Sequence, residues 1–275
     1  MKKNILITGC SSGIGYATAH HLHANGYDVT ATARKMDDVE RLKKEGLQAY
    51  LLDVTKPQTV SDTLDAILEK SGGKLYGVFN NAGYGQPGAL EDVDTDTLRE
   101  QFETNVFGLH EITRRVIPIM RAQGYGRIIQ HSSVLGIISL RFRGAYNASK
   151  YAVEGLCDTL RLELSDTDIF VCTLNTGPIH SKFRDNAIKK YYEHIDGENS
   201  VFAEEYKHDV LKREEEKDGD SLFTRGPEAV IDKVLHALES PKPKARYYIT
   251  PATHLLGNLK RMLSTKALDR ILLKV

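Results

Sequence analysis

Seven short apolar runs, most of them followed by an amphipathic stretch, constrain what this chain can fold into. The runs fall at 4–8, 28–33, 48–53, 75–80, 127–131, 169–175 and 246–250, and helical patterns fill 14–25, 36–45, 57–71, 94–122, 146–165 and 227–239. Strands separated by crossovers of this length pair in parallel, because a parallel neighbour needs a long return path. Right-handed crossovers then wind helices over both faces. The expectation is an α/β chain in one domain spanning 1–275: a Rossmann fold with a doubly wound, seven-stranded parallel sheet. A length of 275 residues suits one such domain.

Several boundaries carry local signals. Thr55-Lys56-Pro57 offers a cap before a first-turn proline, and Gly226-Pro227-Glu228 repeats the arrangement. Pro118, inside 94–122, is expected to kink that helix or end its regular part. Two segments break the rhythm. Residues 180–225 are polar and charge-dense, with a run from Arg213 to Asp218, and read as a partly helical insertion that closes over substrate as a lid. Residues 254–275 place leucines among Lys and Arg at helical spacing, which predicts a C-terminal amphipathic helix.

Charge removes some functions. The 37 basic and 37 acidic residues cancel, so there is no field to hold nucleic acid. Cys10, Cys157 and Cys172 form no CxxC pair, which argues against a disulfide framework or zinc site. The first apolar run is too short for a signal peptide, and no stretch reaches a membrane span. A cytoplasmic protein is expected. His20, His21 and His23 lack the i, i+4 spacing of a helical metal pair, so no metal is expected.

The first strand runs into Thr8-Gly9-Cys10-Ser11-Ser12-Gly13-Ile14-Gly15 and then a helix. Glycines here permit a tight turn and close approach of a pyrophosphate, and the helix aims its free N–H groups at the phosphates. Cys10 reads as a small packing residue. The spacing TGxxxGxG resembles the cofactor loop of the short-chain dehydrogenase/reductases, and further motifs follow in that family's order. Asn80-Asn81-Ala82-Gly83 is its NNAG element, and Tyr146 and Lys150 form its YxxxK pair. The resemblance covers about residues 4–180 and is nearest to bacterial oxidoreductases related to retinol and 17β-hydroxysteroid dehydrogenases. It implies that Gly9, Ser11, Ser12, Gly13, Ile14 and Gly15 hold the dinucleotide. It also implies that Asp53 and Val54 meet the adenine, that Asn80 steadies the sheet, and that Asn81, Ala82 and Gly83 pass the adenine ribose.

The cofactor can be argued from charge. An NAD-binding Rossmann enzyme carries a carboxylate at the end of strand two, for the ribose 2′-OH. Here that strand ends Ala33-Arg34-Lys35. Arg34 can meet a 2′-phosphate through its guanidinium and Ser11 can add a hydroxyl, so NADP(H) is expected over NAD(H).

Tyr146 and Lys150 lie four residues apart, so on a helix they share one face. A nearby ammonium favours the phenolate and is expected to lower the Tyr146 pKa, letting it exchange a proton with an alcohol or carbonyl. By resemblance, Lys150 also bonds the nicotinamide ribose, Ser133 polarises the carbonyl, and Asn105 kinks the fourth helix and holds a water in a relay toward Lys150. After strand six the family usually has Pro-Gly and then a threonine. This chain has Thr176-Gly177-Pro178-Ile179-His180-Ser181, with Thr176 in place of the proline. Gly177, Pro178, Ile179 and the Ser181 hydroxyl are left to hold the carboxamide. His131, two residues before Ser133, shares its strand face and is expected to pack in the core.

The reading is an oxidoreductase that interconverts a lipophilic aldehyde or ketone and its alcohol. Leu135, Ile137, Ile138, Leu140 and Phe142 supply an apolar wall, and steroid, retinoid and fatty aldehyde stay open. Alternatives are a non-catalytic nucleotide-sensing protein, disfavoured by the intact Asn105, Ser133, Tyr146 and Lys150, and a sugar-nucleotide epimerase, disfavoured by the loop spacing. Contact of 254–275 with a membrane surface is the lesser alternative to packing on the body or a partner subunit. The family implies a homodimer or homotetramer paired through 94–122 and 146–165.

Overall fold

The structure is a computed structural model that describes residues 2–208 and 224–274. Strands β1 (Asn4–Ile7), β2 (Asp28–Ala33), β3 (Gln48–Leu51), β4 (Gly77–Asn80), β5 (Gly126–Ser133), β6 (Ile169–Thr176) and β7 (Arg246–Tyr248) make one parallel sheet. Its order is β3-β2-β1-β4-β5-β6-β7, so the winding reverses between β1 and β4. That reversal opens a crevice at the strands' carboxyl ends, where ligands bind in such sheets. The seven expected strands are the seven observed.

Alternation along each strand decides which helices cover which face. Ile5 and Ile7 point to a layer shared with α1 (Gly13–Ala24), α2 (Met36–Lys44) and α8 (Glu228–Glu239), where Leu22, Leu42 and Val234 are fully buried. Leu6 and Val78 point the other way. They meet α3 (Pro57–Ser71), α5 (Leu109–Gln123) and α6 (Gly144–Glu163) through Val60, Ile112 and Val153. Burying a side chain of this size contributes roughly 1.5–3 kcal/mol, so both layers are needed to hold the sheet.

Three details depart from expectation. Pro118 neither ends nor interrupts α5, which runs on to Gln123 and stops at Gly124 with φ 85°. The buried Val116 and Met120 on either side anchor the helix, so the hydrogen bond that proline cannot donate is affordable there. The irregular part lies earlier. After α4 (Thr95–Phe102), residues Glu103–Gly108 form a π-helical turn that contains Asn105. Second, Thr55 does not cap α3. Lys56 stands at that position, Pro57 opens the helix, and Thr55 gives its N–H and hydroxyl to Asp53 Oδ1 at 3.0 and 2.8 Å. Third, the C-terminal segment is two helices, α9 (Pro251–Met262) and α10 (Thr265–Leu272), with Ser264 as the N-cap residue of the second. Leu268 is buried, and Leu256, Leu259, Leu263 and Leu272 pack with it against Val134, Leu135 and Ile138. Part of the segment's apolar surface thus packs on the body of the protein, while Leu255, Met262, Ile271 and Leu273 stay exposed.

Residues 180–208 contain α7 (Phe183–His194) and a helical stretch at 203–208. Tyr191, Ile195 and Tyr206 bury themselves against Ala89 and Phe142, and Tyr206 also donates to Asp92. The Arg213–Asp218 charge run lies outside the described residues. Among the described residues, no helix is long and apolar enough to cross a membrane, and no group of three or more His, Cys, Asp or Glu could hold a metal ion.

Candidate active site

The glycine loop sits at the reversal of the sheet. Gly9 and Gly13 take φ of 71° and 60°, a region that side chains disfavour. A Cβ on Gly15 would stand 2.4 Å from the Gly9 carbonyl. Helix α1 begins with no side-chain cap at Ser12 and no acid in its first turn. Its leading N–H groups and dipole therefore face the loop unopposed, as a pyrophosphate requires. These features fit a dinucleotide. Asn81 ties the loop down, donating from Nδ2 to the carbonyls of Thr8 (2.9 Å) and Gly9 (3.1 Å). The Thr8 hydroxyl in turn accepts the N–H groups of Asn81 and Ala82, both at 2.9 Å.

At the far end of the loop, a Cβ on Gly13 would lie 3.1 Å from Ser181 Cβ, so the segment after β6 comes right up to the loop. Gly177 needs its missing side chain too, because a Cβ would overlap the Thr250 hydroxyl. Beyond it, Arg225 donates to the Pro178 carbonyl at 3.2 Å and accepts from His180 N–H at 3.0 Å, forming a bridge beside Ile179. The Val54 side chain is buried in the core, which leaves only its backbone to meet a nucleotide.

At the end of β2, Arg34 is exposed. Its positive charge favours the ionised forms of Tyr84 and of Glu193 in α7. Arg41 was missed in the sequence. From α2 it donates to the Ser11 carbonyl at 2.6 Å while pairing with Asp38 at 3.0 Å. A second guanidinium thus borders the loop, about two helical turns beyond the strand-end Arg34 and Lys35.

Helix α6 brings the candidate catalytic side chains inward. Tyr146 and Lys150 are both buried on its inner face, with Lys150 Nζ 5.6 Å from the Tyr146 ring centre. Ser133 ends β5 beside the Tyr146 hydroxyl. Its own Oγ accepts the Leu135 N–H at 3.1 Å. Asn105 is held at both ends of its amide. Oδ1 accepts Tyr84 N–H at 3.1 Å, and Nδ2 donates to Tyr84 O at 2.9 Å and Ser149 Oγ at 3.1 Å. The π-helical turn thereby fixes the loop after β4 to α6. Asn80 bridges neighbouring strands through Gln130 at 2.9 Å.

Burial governs the ionisation of this group. It pushes the Tyr146 phenol up to about 12, with the Ser133 hydroxyl pulling the other way. It brings the Lys150 ammonium down to about 8, against a raising influence from Glu154. The expected lowering of Tyr146 by Lys150 is absent in this arrangement, because Nζ is turned to the His131 carbonyl at 2.7 Å. Phe183, missed in the sequence, lies across Tyr146 with ring centres 5.4 Å apart. Gly85 makes room for it, since a Cβ there would stand 2.9 Å from the Phe183 ring.

His131 does more than fill space. Nδ1 lies 3.0 Å from Asn81 Oδ1 and Nε2 lies 3.2 Å from Thr176 Oγ1. Burial, and then the Lys150 charge, bring its pKa down to about 3. The unfolded chain therefore binds a proton between about pH 3 and 6.5 that the folded chain refuses, and stability falls as pH drops through that window. Urea unfolding at pH 7 and pH 4.5 should show a loss that is smaller in His131→Asn than in the unaltered protein. An equal loss in both would show that His131 is not responsible.

The chain belongs to the short-chain dehydrogenase/reductase family: a family model described as short chain dehydrogenase matches residues 3–191. It is an oxidoreductase of that family, whose members act on alcohol and carbonyl groups with NAD(P). It is 42% identical to the uncharacterized oxidoreductase YbbO of Escherichia coli (strain K12), over 99% of this chain and 94% of that one. It is 33% identical to a 3-ketodihydrosphingosine reductase of Bacteroides thetaiotaomicron, over 86% and 85%. A solved short-chain dehydrogenase from Streptomyces avermitilis superposes with a TM-score of 0.78 at 27% identity, covering 95% and 93%.

Proposed function

We propose that this protein is an NADP(H)-dependent reductase of lipophilic aldehydes or ketones, running in reverse as an alcohol dehydrogenase, with Tyr146 as the general acid/base. The observation that carries the reading is the burial of Tyr146 between the Ser133 hydroxyl and an apolar cluster. NADPH, when bound, supplies the hydride.

The chain's own residues do the rest. A substrate carbonyl oxygen reaching Tyr146 finds two hydroxyls, that of Tyr146 and that of Ser133, and both can donate to it as negative charge develops. Tyr146 gives up its proton to that oxygen, and the Lys150 ammonium, 5.6 Å from the Tyr146 ring centre, stabilises the phenolate left behind once Nζ turns from the His131 carbonyl toward it. Asn105 acts at a distance, joining the Tyr84 backbone to Ser149 one residue before Lys150. For the nucleotide, the loop from Gly9 to Gly15 with Ser11, Ser12 and Ile14 takes the pyrophosphate, and Asp53, Val54, Asn81, Ala82 and Gly83 flank the adenosine. Gly177, Pro178, Ile179 and Ser181 take the nicotinamide, and Arg34 takes the 2′-phosphate with Arg41 close by.

The substrate class follows from the wall. Val134, Leu135 and Ile138 share one cluster with Tyr146 and with Leu268 of α10, so the C-terminal helices extend the apolar surface beside the reacting hydroxyl. The relative named for a keto group on a sphingoid lipid fits such a wall. The described part of the insertion, 180–208, acts as the lid, with Phe183 as its contact to Tyr146. Tyr151, Leu156 and Leu162 leave apolar side chains exposed on α6, which suits pairing of subunits.

An NADPH-oxidation screen over aliphatic aldehydes of rising chain length, retinal and keto-steroids tests this reading. Turnover should improve with chain length, at most by about fifteenfold for each two methylenes buried, from ~0.8 kcal/mol per methylene. Turnover of short polar carbonyls alone would overturn the substrate class.

A further inference from the structure

A departure from the family pattern and a buried histidine meet in space. Thr176 stands where the family usually has proline, and His131 is a histidine at the bottom of the site. They lie on adjacent strands, β6 and β5, and their side chains are 3.2 Å apart.

The hydrogen-bond directions can be worked out. Asn81 uses Nδ2 to donate to two carbonyls, Thr8 O and Gly9 O, which orients its amide. Its Oδ1 therefore faces His131 Nδ1 at 3.0 Å, and an amide oxygen can only accept. Nδ1 must carry the hydrogen. In a neutral ring Nε2 is then a bare acceptor, and the partner it meets is the Thr176 hydroxyl. Ser132 O, 3.3 Å from the same hydroxyl, competes for its one hydrogen. The result is a continuous chain from Thr176 through His131 and Asn81 to the backbone of Thr8 and Gly9.

That chain joins the two ends of the crevice. Thr176 directly precedes Gly177, which is pinned from its other side by Thr250. Thr8 and Gly9 begin the glycine loop. The His131 main chain adds a third connection, accepting from Lys150 Nζ at 2.7 Å. We infer that His131 is a positioning residue which, as the Nδ1–H tautomer, couples the glycine loop to the Thr176–Gly177 strand end and so fixes the spacing of the two loops that hold the dinucleotide. The histidine–threonine pair here supplies by hydrogen bonding a fixation of strand six that proline would supply by its ring. This inference rests on the nucleotide-binding reading above.

The test uses the full-length protein with Thr176→Val, His131→Asn and the double variant. NADPH affinity is read from nucleotide fluorescence and integrity from thermal unfolding. Thr176→Val keeps the residue's shape, so it should fold even where His131→Asn does not. Each single change should weaken NADPH binding about five- to tenfold, and the double variant should be no worse than His131→Asn alone, because both remove one connection. Nitrogen-15 NMR of the histidine rings should show His131 with its hydrogen on Nδ1, without any nucleotide present. Unchanged NADPH affinity in Thr176→Val, losses that multiply in the double variant, or a hydrogen on Nε2 would each overturn the inference. Failure of the unaltered protein to bind either NADPH or NADH would instead count against the dehydrogenase reading itself.

Discussion

Tyr146→Phe should lower kcat by about three orders of magnitude while leaving NADPH affinity within about twofold of the unaltered protein. The size follows from what the hydroxyl does. General acid–base catalysis by a positioned group contributes roughly 10²–10⁴-fold, and in the proposed mechanism Tyr146 also donates one of the two hydrogen bonds to the developing oxyanion. The phenyl ring keeps its contact with Phe183 and its place in the apolar cluster, so packing is conserved. Only one oxygen is lost. Ser133 would remain to polarise the carbonyl, but an alcohol hydroxyl is a far weaker acid than a phenol and does not replace the proton donor. Steady-state rates with the best carbonyl from the screen, together with a nucleotide titration, check this. Full activity in the variant would remove Tyr146 from the chemistry, and a parallel loss of NADPH binding would point to a collapsed site.

The pH dependence of that rate bears on Lys150. Its ammonium is brought down to about 8 by burial, so part of the protein carries a neutral amine at mildly alkaline pH. The phenolate is then less well stabilised, and reduction should slow as pH rises through 8. Tyr146 itself, pushed up to about 12 by the same burial, stays protonated across this range and remains competent as an acid.

The fold was legible because its signal is periodic and local. Each strand is a short apolar run, and the crossovers could only return it in parallel. The candidate site was legible for a related reason: Tyr146 and Lys150, buried together in the structure, are neighbours on one helix, and Gly9 to Gly15 is one turn. What the chain concealed lies between elements. His131 and Thr176 are 45 residues apart in sequence and touch only because β5 and β6 pair with Ser133 opposite Thr176. Phe183 reaches Tyr146 through the space left by Gly85, a contact no periodicity encodes. Pro118 misled because its local rule is strong, whereas the π-helical turn at Asn105 depends on bonds to Tyr84 and Ser149, which come from two other elements. The break at Ser264 was hidden by leucines that keep helical spacing across it, though both helices turn those leucines to the same cluster.

Arg34→Asp should weaken NADPH binding by about two orders of magnitude and leave NADH binding nearly unchanged or improved. A hydrogen bond to a charged group contributes roughly 1.5–3 kcal/mol, and 3 kcal/mol is about 150-fold in affinity. Arg34 is exposed, so solvent screening argues for the lower half of that range. The substituted carboxylate adds repulsion against a 2′-phosphate and can accept from a 2′-OH, which is the arrangement NAD-binding Rossmann enzymes use. Both effects move the NADPH/NADH ratio the same way. Arg41 limits the loss: it already donates to Ser11 O at 2.6 Å and can turn toward the phosphate, but only by loosening its pair with Asp38. Arg34→Asp with Arg41→Ala should therefore lose more NADPH affinity than Arg34→Asp alone, and the difference should shrink at high salt. Parallel titrations with both nucleotides at low and high ionic strength decide the matter. Equal weakening of NADH and NADPH would mean that Arg34 holds the loop rather than the phosphate, and the choice of NADP(H) would fall with it.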